Sequence, residues 1–183
     1  MQLFPYLLLL LLSSALQLAV APPAPPPLLD GFVTLDGWTR AGVGLALGAL
    51  GGLAIHALLR YAARVPAMRA VHTEIRAAMA SDRAARLGVV VFGPIAEELF
   101  FRGVLLPYAG VTISAVAFAA AHVRRRSHAW LWPLACFAFG VLAGGAYLFT
   151  GTLLAPIALH VVANLRAASK ATLPRRQLGG LLG

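Results

Sequence analysis

Charged residues are scarce in this 183-residue chain, since only 11% of its positions carry one, whereas soluble domains carry about 25%. Hydrophobic residues make up 60% of the sequence, and the mean hydropathy is +0.83. This composition cannot cover the surface of a soluble domain, but it suits a protein surrounded by lipid. The length predicts one domain rather than two soluble domains joined by a linker.

Cysteine is almost absent, and Cys136 lies within an apolar run. A single cysteine excludes an internal disulfide, and no cysteine pair exists to hold zinc. The net charge of +9 does not indicate nucleic acid, because the basic residues occupy short loops without interleaved aromatic residues. We therefore expect no nucleic-acid partner.

Six apolar stretches follow one another along the chain. They are residues 3–20, 41–61, 87–107, 111–122, 129–149 and 152–168. A membrane-spanning helix needs about 20 apolar residues, a length that the second, third and fifth stretches reach. The sequence therefore predicts an all-α, polytopic membrane helical bundle with about six transmembrane helices, or five if the first is removed. Glycines four residues apart in the second stretch predict close internal helix packing.

The first apolar stretch has two interpretations. It ends in Ala19-Val20-Ala21, which is typical of a signal-peptidase site. No Lys or Arg precedes it and prolines follow at once, which favours a retained helix and a stiff proline-rich linker. We expect residues 1–40 to form this helix or signal with its linker, and residues 41–183 to form the core domain.

The basic residues predict the orientation in the membrane. All except Arg40 and Arg102 lie in or beside the loop after the second stretch, the loop after the fourth, or the C-terminal tail. Because cytoplasmic loops are enriched in Lys and Arg, these regions and the C-terminus are expected to face the cytoplasm across the cell's inner membrane. Apolar residues at helical spacing within residues 62–86 predict an amphipathic helix on the inner membrane surface.

Two adjacent carboxylates, Glu97 and Glu98, lie in the middle of the third stretch. Burying one charge there costs at least about 2.5–3.5 kcal/mol on insertion scales, so the pair indicates a functional site. Arg102 follows Glu98 by four residues, which predicts an ion pair on one helix face. Glu97 is rotated about 100° from Glu98 and is expected to face a cavity. Pro94 frees the carbonyl of Val90 and predicts a kink.

Three polar residues further along the chain complete a possible hydrolytic site. His122 ends the fourth stretch, and His160 precedes Asn164 by four residues in the sixth. All three lie near predicted cytoplasmic helix ends and are expected to converge with Glu97. A carboxylate can take a proton from water, and a histidine can position that water or protonate a leaving amine. A histidine with an asparagine can donate hydrogen bonds to an oxyanion.

Other intramembrane protease chemistries lack their residues. No Asp occurs in an apolar stretch, which excludes an aspartyl pair, and no His-Glu-x-x-His motif indicates a zincin. Ser114 lacks the setting of a serine nucleophile. Zinc held by Glu97, His122 and His160 stays a chemical alternative, although we expect no cofactor.

Three motifs in the sequence resemble those of a known family. Glu97-Glu98-Leu-Phe-Phe-Arg102 is similar to the Glu-Glu-x-x-x-Arg motif of the CPBP family (CAAX proteases and bacteriocin-processing proteins, also called Abi) of glutamic intramembrane proteases. Phe118-Ala-Ala-Ala-His122 and His160-Val-Val-Ala-Asn164 resemble its Phe-x-x-x-His and His-x-x-x-Asn motifs. The three occur in the family's order within residues 87–168.

The resemblance implies an intramembrane endopeptidase with four catalytic and three supporting residues. The catalytic residues are Glu97, His122, His160 and Asn164, and the supporting residues are Glu98, Arg102 and Phe118. It implies that Glu97 activates water with the help of His122. It also implies that His160 and Asn164 bind the oxyanion.

The resemblance leaves the substrate open. Eukaryotic members remove the last three residues of prenylated CAAX proteins, and bacterial members process peptides or confer bacteriocin immunity. A myxosortase-like protein that cleaves C-terminal membrane anchors is one possible subtype, and lipid and a membrane-anchored peptide are the expected partners. Two other classes stay open, namely a non-catalytic membrane protein and a small transporter with Glu97 and His122 as a proton relay.

Overall fold

The computed structural model describes residues 4–24, 26–69, 72, 86–123 and 130–169, and within these ranges the chain is helical and contains no strand. We number the α-helices α1 to α6 in chain order. They are Phe4–Val20, Gly37–Ala62, Gly93–Phe100, Leu106–Ala121, Leu131–Thr150 and Leu154–Ala168. Two π-helical turns flank α3, the first π-turn at Gly88–Phe92 and the second π-turn at Phe101–Leu105. The predicted all-α class is confirmed.

Three helical stretches among the described residues are long and apolar enough to cross a membrane. They are Gly37–Ala62, Gly88–Ala121 and Leu131–Thr150. The apolar parts of α1 and α6 are shorter. The protein is therefore a multi-pass membrane protein. The amphipathic helix predicted within residues 62–86 falls largely outside the described residues.

The chain reverses direction at Gly110, so the third and fourth apolar stretches form an antiparallel hairpin. Gly110 has φ 77° and ψ 171°, a conformation that glycine adopts without steric cost. Beyond it, the Ser114 hydroxyl donates a hydrogen bond of 2.7 Å to the carbonyl of Phe101. The Phe118 ring then packs edge-on against the Phe101 ring. These contacts bring the end of α4 back beside α3.

Helix α2 packs closely along α6 through its glycines. Gly44, Gly48 and Gly52 are all buried, and a Cβ at Gly48 would collide with the carbonyl of Ala155. Small residues let two helices approach closely in lipid, where van der Waals packing drives their association. The glycine spacing in this helix therefore serves internal packing, as predicted.

The ends of α2 and α5 are tied together by Arg40. Its guanidinium forms an ion pair with Asp30 and donates a hydrogen bond to the carbonyl of Thr150. The Asp36 side chain caps the start of α2 by accepting hydrogen bonds from backbone N–H groups of the first turn. This end of the bundle is the one opposite the three motifs.

Candidate active site

Helix α3, which carries Glu97 and Glu98, is only eight residues long and lies between the two π-turns. Pro94 lies in its first turn, directly after the first π-turn, and its missing N–H leaves a carbonyl of that turn without a helical donor. The irregularity predicted at Pro94 therefore takes the form of the first π-turn. π-turns are rare in helices and are frequent at functional sites.

Glu98 and Arg102 form a fully buried ion pair. The Nη1 atom of Arg102 lies 2.9 Å from Oε2 of Glu98, and both side chains are 0% exposed. Nη2 of Arg102 donates a hydrogen bond of 3.1 Å to the carbonyl of Gly140. The guanidinium carbon lies 4.8 Å from the centre of the Phe118 ring. The ion pair expected from the four-residue spacing is thus present in the structure.

The other carboxylate oxygen of Glu98 contacts His160. Nδ1 of His160 lies 2.8 Å from Oε1 of Glu98. An ionised carboxylate only accepts hydrogen bonds, so with Glu98 paired to Arg102 the proton of a neutral His160 belongs on Nδ1. Glu98 therefore links the ion pair to one of the two histidines of the motifs.

His122 is oriented in a similar way, by a backbone group. Its Nδ1 atom lies 2.8 Å from the carbonyl oxygen of Phe118. A carbonyl oxygen can only accept, so Nδ1 of His122 is the donor and Nε2 is left to face the site. Both histidines are thus held through Nδ1.

The two Nε2 atoms face the same oxygen of Glu97. Oε2 of Glu97 lies 3.8 Å from Nε2 of His122 and 4.0 Å from Nε2 of His160. Both distances are too long for direct hydrogen bonds. The Glu97 side chain is 19% exposed, unlike that of Glu98. The two adjacent carboxylates therefore occupy different environments, one beside the histidines and one within a buried network.

Asn164 lies in the same region but is held by the first π-turn. Its Nδ2 atom donates a hydrogen bond of 3.1 Å to the carbonyl of Val89. Asn164, His122 and His160 line a common cavity. One of the two amide protons of Asn164 is thus engaged by the backbone, and its predicted role in oxyanion binding stays a prediction.

Phe118 forms the centre of an aromatic cluster beneath the histidines. It is 2% exposed, and its ring packs against Phe101, Phe139 and both motif histidines. With the Arg102 guanidinium also stacked on this ring, Phe118 supports both the ion pair and the histidines. The resemblance implied a supporting role for Phe118, which stays a prediction.

The cavity beside the histidines has a volume of about 230 Å³ and is mostly apolar. Helices α2 and α5 supply most of its apolar wall, including Leu59, Trp132 and Phe139. It lies at the end of the bundle where α2 and α6 finish and α5 begins. Among the residues that the structure describes, no group of three His, Cys, Asp or Glu side chains has an arrangement suited to a metal ion.

Sequence reasoning missed two contacts of α3. The bond between Glu98 and His160 depends on how α3 packs against α6, for which the sequence gives no spacing rule. The second contact comes from α1, where Gln17 donates a hydrogen bond of 3.1 Å to the carbonyl of Leu99. An amide side chain in an otherwise apolar helix is a signal that could have identified Gln17.

Comparisons with known proteins match the part of the chain that carries the three motifs. Residues 81–166 match the family model described as type II CAAX prenyl endopeptidase Rce1-like. The uncharacterized protein YpbD of Bacillus subtilis (strain 168) is 39% identical over 67 residues, which are 37% of this chain and 35% of that protein. The chain therefore spans about a third of the curated relative it matches, and no solved structure matches it. The stretch of residues 81–166, which holds all three motifs, is thus similar to the Rce1-like family of CAAX prenyl endopeptidases.

Proposed function

We propose that this protein is a glutamic-type intramembrane endopeptidase that hydrolyses a peptide bond of a membrane-anchored substrate. The observation that carries the proposal is the position of Glu97 opposite the Nε2 atoms of His122 and His160, at 3.8 and 4.0 Å. These three side chains can each exchange a proton, and they lie close together beside an apolar cavity. The family match over residues 81–166 supports peptide-bond hydrolysis as the reaction.

The distances around Glu97 suit a water molecule between the carboxylate and a histidine. Polar atoms separated by more than about 3.5 Å are commonly bridged by water. With Nδ1 of His122 donating to the Phe118 carbonyl, its Nε2 can accept a hydrogen bond from such a water. The water then donates one hydrogen to Glu97 and one to His122, which leaves an oxygen lone pair for attack on a carbonyl carbon.

The reaction then requires only proton transfers. As the water oxygen bonds to the scissile carbonyl carbon, Glu97 takes one of its protons, and a tetrahedral oxyanion forms. The C–N bond breaks as the leaving amine receives a proton from Glu97 or from a histidine. The products are a carboxylate and a protonated amine, which together carry both protons of the water, and no covalent intermediate with the protein forms.

Two groups are proposed to stabilise the oxyanion. The second amide proton of Asn164 is available besides the one that binds Val89. A protonated His160 presents an Nε2–H donor, and the Glu98 carboxylate on its Nδ1 stabilises that positive charge. Glu98 is therefore proposed to orient His160 as well as to pair with Arg102.

The apolar cavity suggests what the substrate presents next to the scissile bond. Its volume of about 230 Å³ and its wall of Leu59, Trp132 and Phe139 favour an apolar group over a charged one. The cavity lies at the end of the bundle that the arginine distribution places in the cytoplasm. We propose cleavage near the cytoplasmic face of the inner membrane, with the C-terminus on the same side.

The proposal is tested by comparing the membrane-protein termini of cells that carry the native protein with those of cells that carry Glu97→Gln. New termini that occur only with the native protein would identify the substrate and its cleavage site. A set of termini that is identical in the two strains, with both proteins present in equal amounts in the membrane, would refute the proposed activity.

A further inference from the structure

Helix α1 lies outside residues 81–166, the range that matches the family model, but it contacts α3. It packs against α3 and against both π-turns. Gln17 is partly buried there, and its Nε2 donates a hydrogen bond of 3.1 Å to the carbonyl of Leu99. Leu99 directly follows Glu98, so this hydrogen bond holds the backbone next to Glu97 and Glu98.

The fit between α1 and the second π-turn depends on Gly103. A Cβ at this position would collide with the Gln17 amide and would lie 3.2 Å from Leu153 Cδ1. Ser13, one turn before Gln17 on α1, is 1% exposed. Helix α1 is therefore seated in the bundle at this point, with glycine leaving space for the amide.

Gln17 is one of three side chains that donate to backbone carbonyls in or beside the two π-turns. Asn164 donates to Val89 in the first π-turn, and Ser114 donates to Phe101 in the second. A π-turn changes the regular i to i−4 hydrogen-bond pattern, so carbonyls there depend more on outside donors. The three donors come from α6, α4 and α1, and together they fix both ends of α3.

If the Gln17 hydrogen bond is lost, little packing holds the second π-turn in place on the side of Gln17. A cavity of about 520 Å³ borders Gln17 and Gly103, and Tyr147 and Leu153 line it as well. Movement of the second π-turn toward this cavity would shift Glu97 relative to the histidines, and Glu98 relative to His160. A misplacement of about 1 Å in a catalytic group can cost about 10²-fold in rate.

We propose that Gln17 is a positioning residue for Glu97 and Glu98. Helix α1 then contributes to the geometry of the active site and is not only a membrane anchor or a signal. The proposal rests on the proposed function for its effect on catalysis. It also predicts a structural effect that can be measured without any substrate, namely faster backbone exchange at residues 99–103 when the Gln17 amide is removed.

The test compares Gln17→Leu with Ser14→Ala in the full chain in detergent micelles. Ser14 lines the same cavity, but it donates no hydrogen bond to α3 in the structure. Gln17→Leu is expected to lower kcat by about 10-fold or more with KM changed by less than about 2-fold, because it misplaces catalytic groups and leaves substrate binding intact. The melting temperature is expected to stay near that of the native protein, because single hydrogen bonds contribute little to membrane-protein stability.

Gly103→Ala tests the same contact from the side of the second π-turn. Its methyl group is expected to displace the Gln17 amide and to lower kcat in the native background. In a Gln17→Ala background the two nearest atoms, both of the Gln17 amide, are gone, and the next is the flexible end of Leu153 at 3.2 Å. Gly103→Ala should then have little further effect on kcat. The assay probe is a quenched fluorescent peptide that ends in a farnesylated CAAX sequence.

Two readouts separate this proposal from the proposed function. Hydrogen–deuterium exchange at residues 99–103 and the ¹⁵N shifts of the His160 ring are expected to change in Gln17→Leu and to stay native in Ser14→Ala. Native values of both in Gln17→Leu would overturn the positioning role, whether or not the probe is cleaved. Equal losses of kcat from Gly103→Ala in the native and Gln17→Ala backgrounds would overturn it as well.

Discussion

Nδ1 of His160 lies 2.8 Å from Oε1 of Glu98, although 62 positions separate the two residues. The contact joins α6 to α3 and gives Glu98 two partners, because its other oxygen pairs with Arg102. Glu98 therefore connects a buried cation to a histidine that faces Glu97. In the proposed mechanism this connection fixes the ring orientation and the tautomer of His160.

The buried ion pair predicts a strong dependence of stability on both partners. Arg102→Met leaves the Glu98 carboxylate without its cation, which is expected to lower the free energy of unfolding by about 3–5 kcal/mol. In the double variant Glu98→Gln/Arg102→Met no charge is left unpaired, so much of this loss should be recovered. Denaturant titration of the proteins in mixed micelles measures both effects. A double variant less stable than Arg102→Met would contradict this account.

Because a backbone carbonyl orients His122, we expect that its contribution to stability can be separated from its contribution to the reaction. In His122→Asn the side-chain amide can still donate to the Phe118 carbonyl, but no group replaces Nε2. The variant is expected to keep a near-native melting temperature and to lose about 10²-fold or more in kcat, as for loss of an acid–base group. Native turnover by a well-folded His122→Asn protein would remove His122 from the mechanism.

The contact between α2 and α6 predicts opposite outcomes for two glycines of the same helix. Gly48→Ala pushes a methyl group into the carbonyl of Ala155 and is expected to cost about 1–3 kcal/mol of stability. Gly42→Ala is the control, because beyond the neighbouring backbone of its own helix no atom of the described residues lies within 4 Å of its added Cβ. The control should be neutral or slightly stabilising, since alanine favours helix by up to about 1 kcal/mol. Equal effects of the two changes would refute the close packing.

The zinc alternative predicts a different response to chelators. A catalytic zinc ion needs three protein ligands and an open position for water, and its removal would abolish turnover. In the mechanism proposed here Glu97 and the histidines activate the water themselves. We therefore expect prolonged dialysis against a strong chelator to leave kcat unchanged. Loss of activity that added zinc restores would favour the metal-dependent mechanism.

Much of the bundle and the identity of the polar residues could be predicted from the sequence. Helical spacing predicted the pair of Glu98 and Arg102, and depth in the apolar stretch singled out Glu97. These predictions rest on local geometry and on the cost of burying charge, both of which a single sequence reveals. The gathering of the motif histidines beside Glu97 was also expected.

The contacts that orient the site could not be predicted. The bond of His160 to Glu98 and the approach of Gln17 to Leu99 depend on the packing of helices that are distant in the sequence. The π-helical form of the two turns was not predicted, since Gly88–Phe92 is as apolar as an ordinary spanning helix and Arg102 within Phe101–Leu105 indicated only an ion pair. The division at residue 40 stays a prediction, although α1 is packed against α3 in the structure.

The most direct test of the central claim is the turnover of a quenched farnesylated CAAX peptide by purified Glu97→Gln protein in liposomes. Asp36→Asn is the matched control, because it makes the same change of carboxylate to amide at an exposed helix cap that asparagine also serves. The account predicts cleavage by the native protein and by Asp36→Asn, with at least about 10²-fold lower kcat for a folded Glu97→Gln protein. Turnover by Glu97→Gln at the native rate would contradict it.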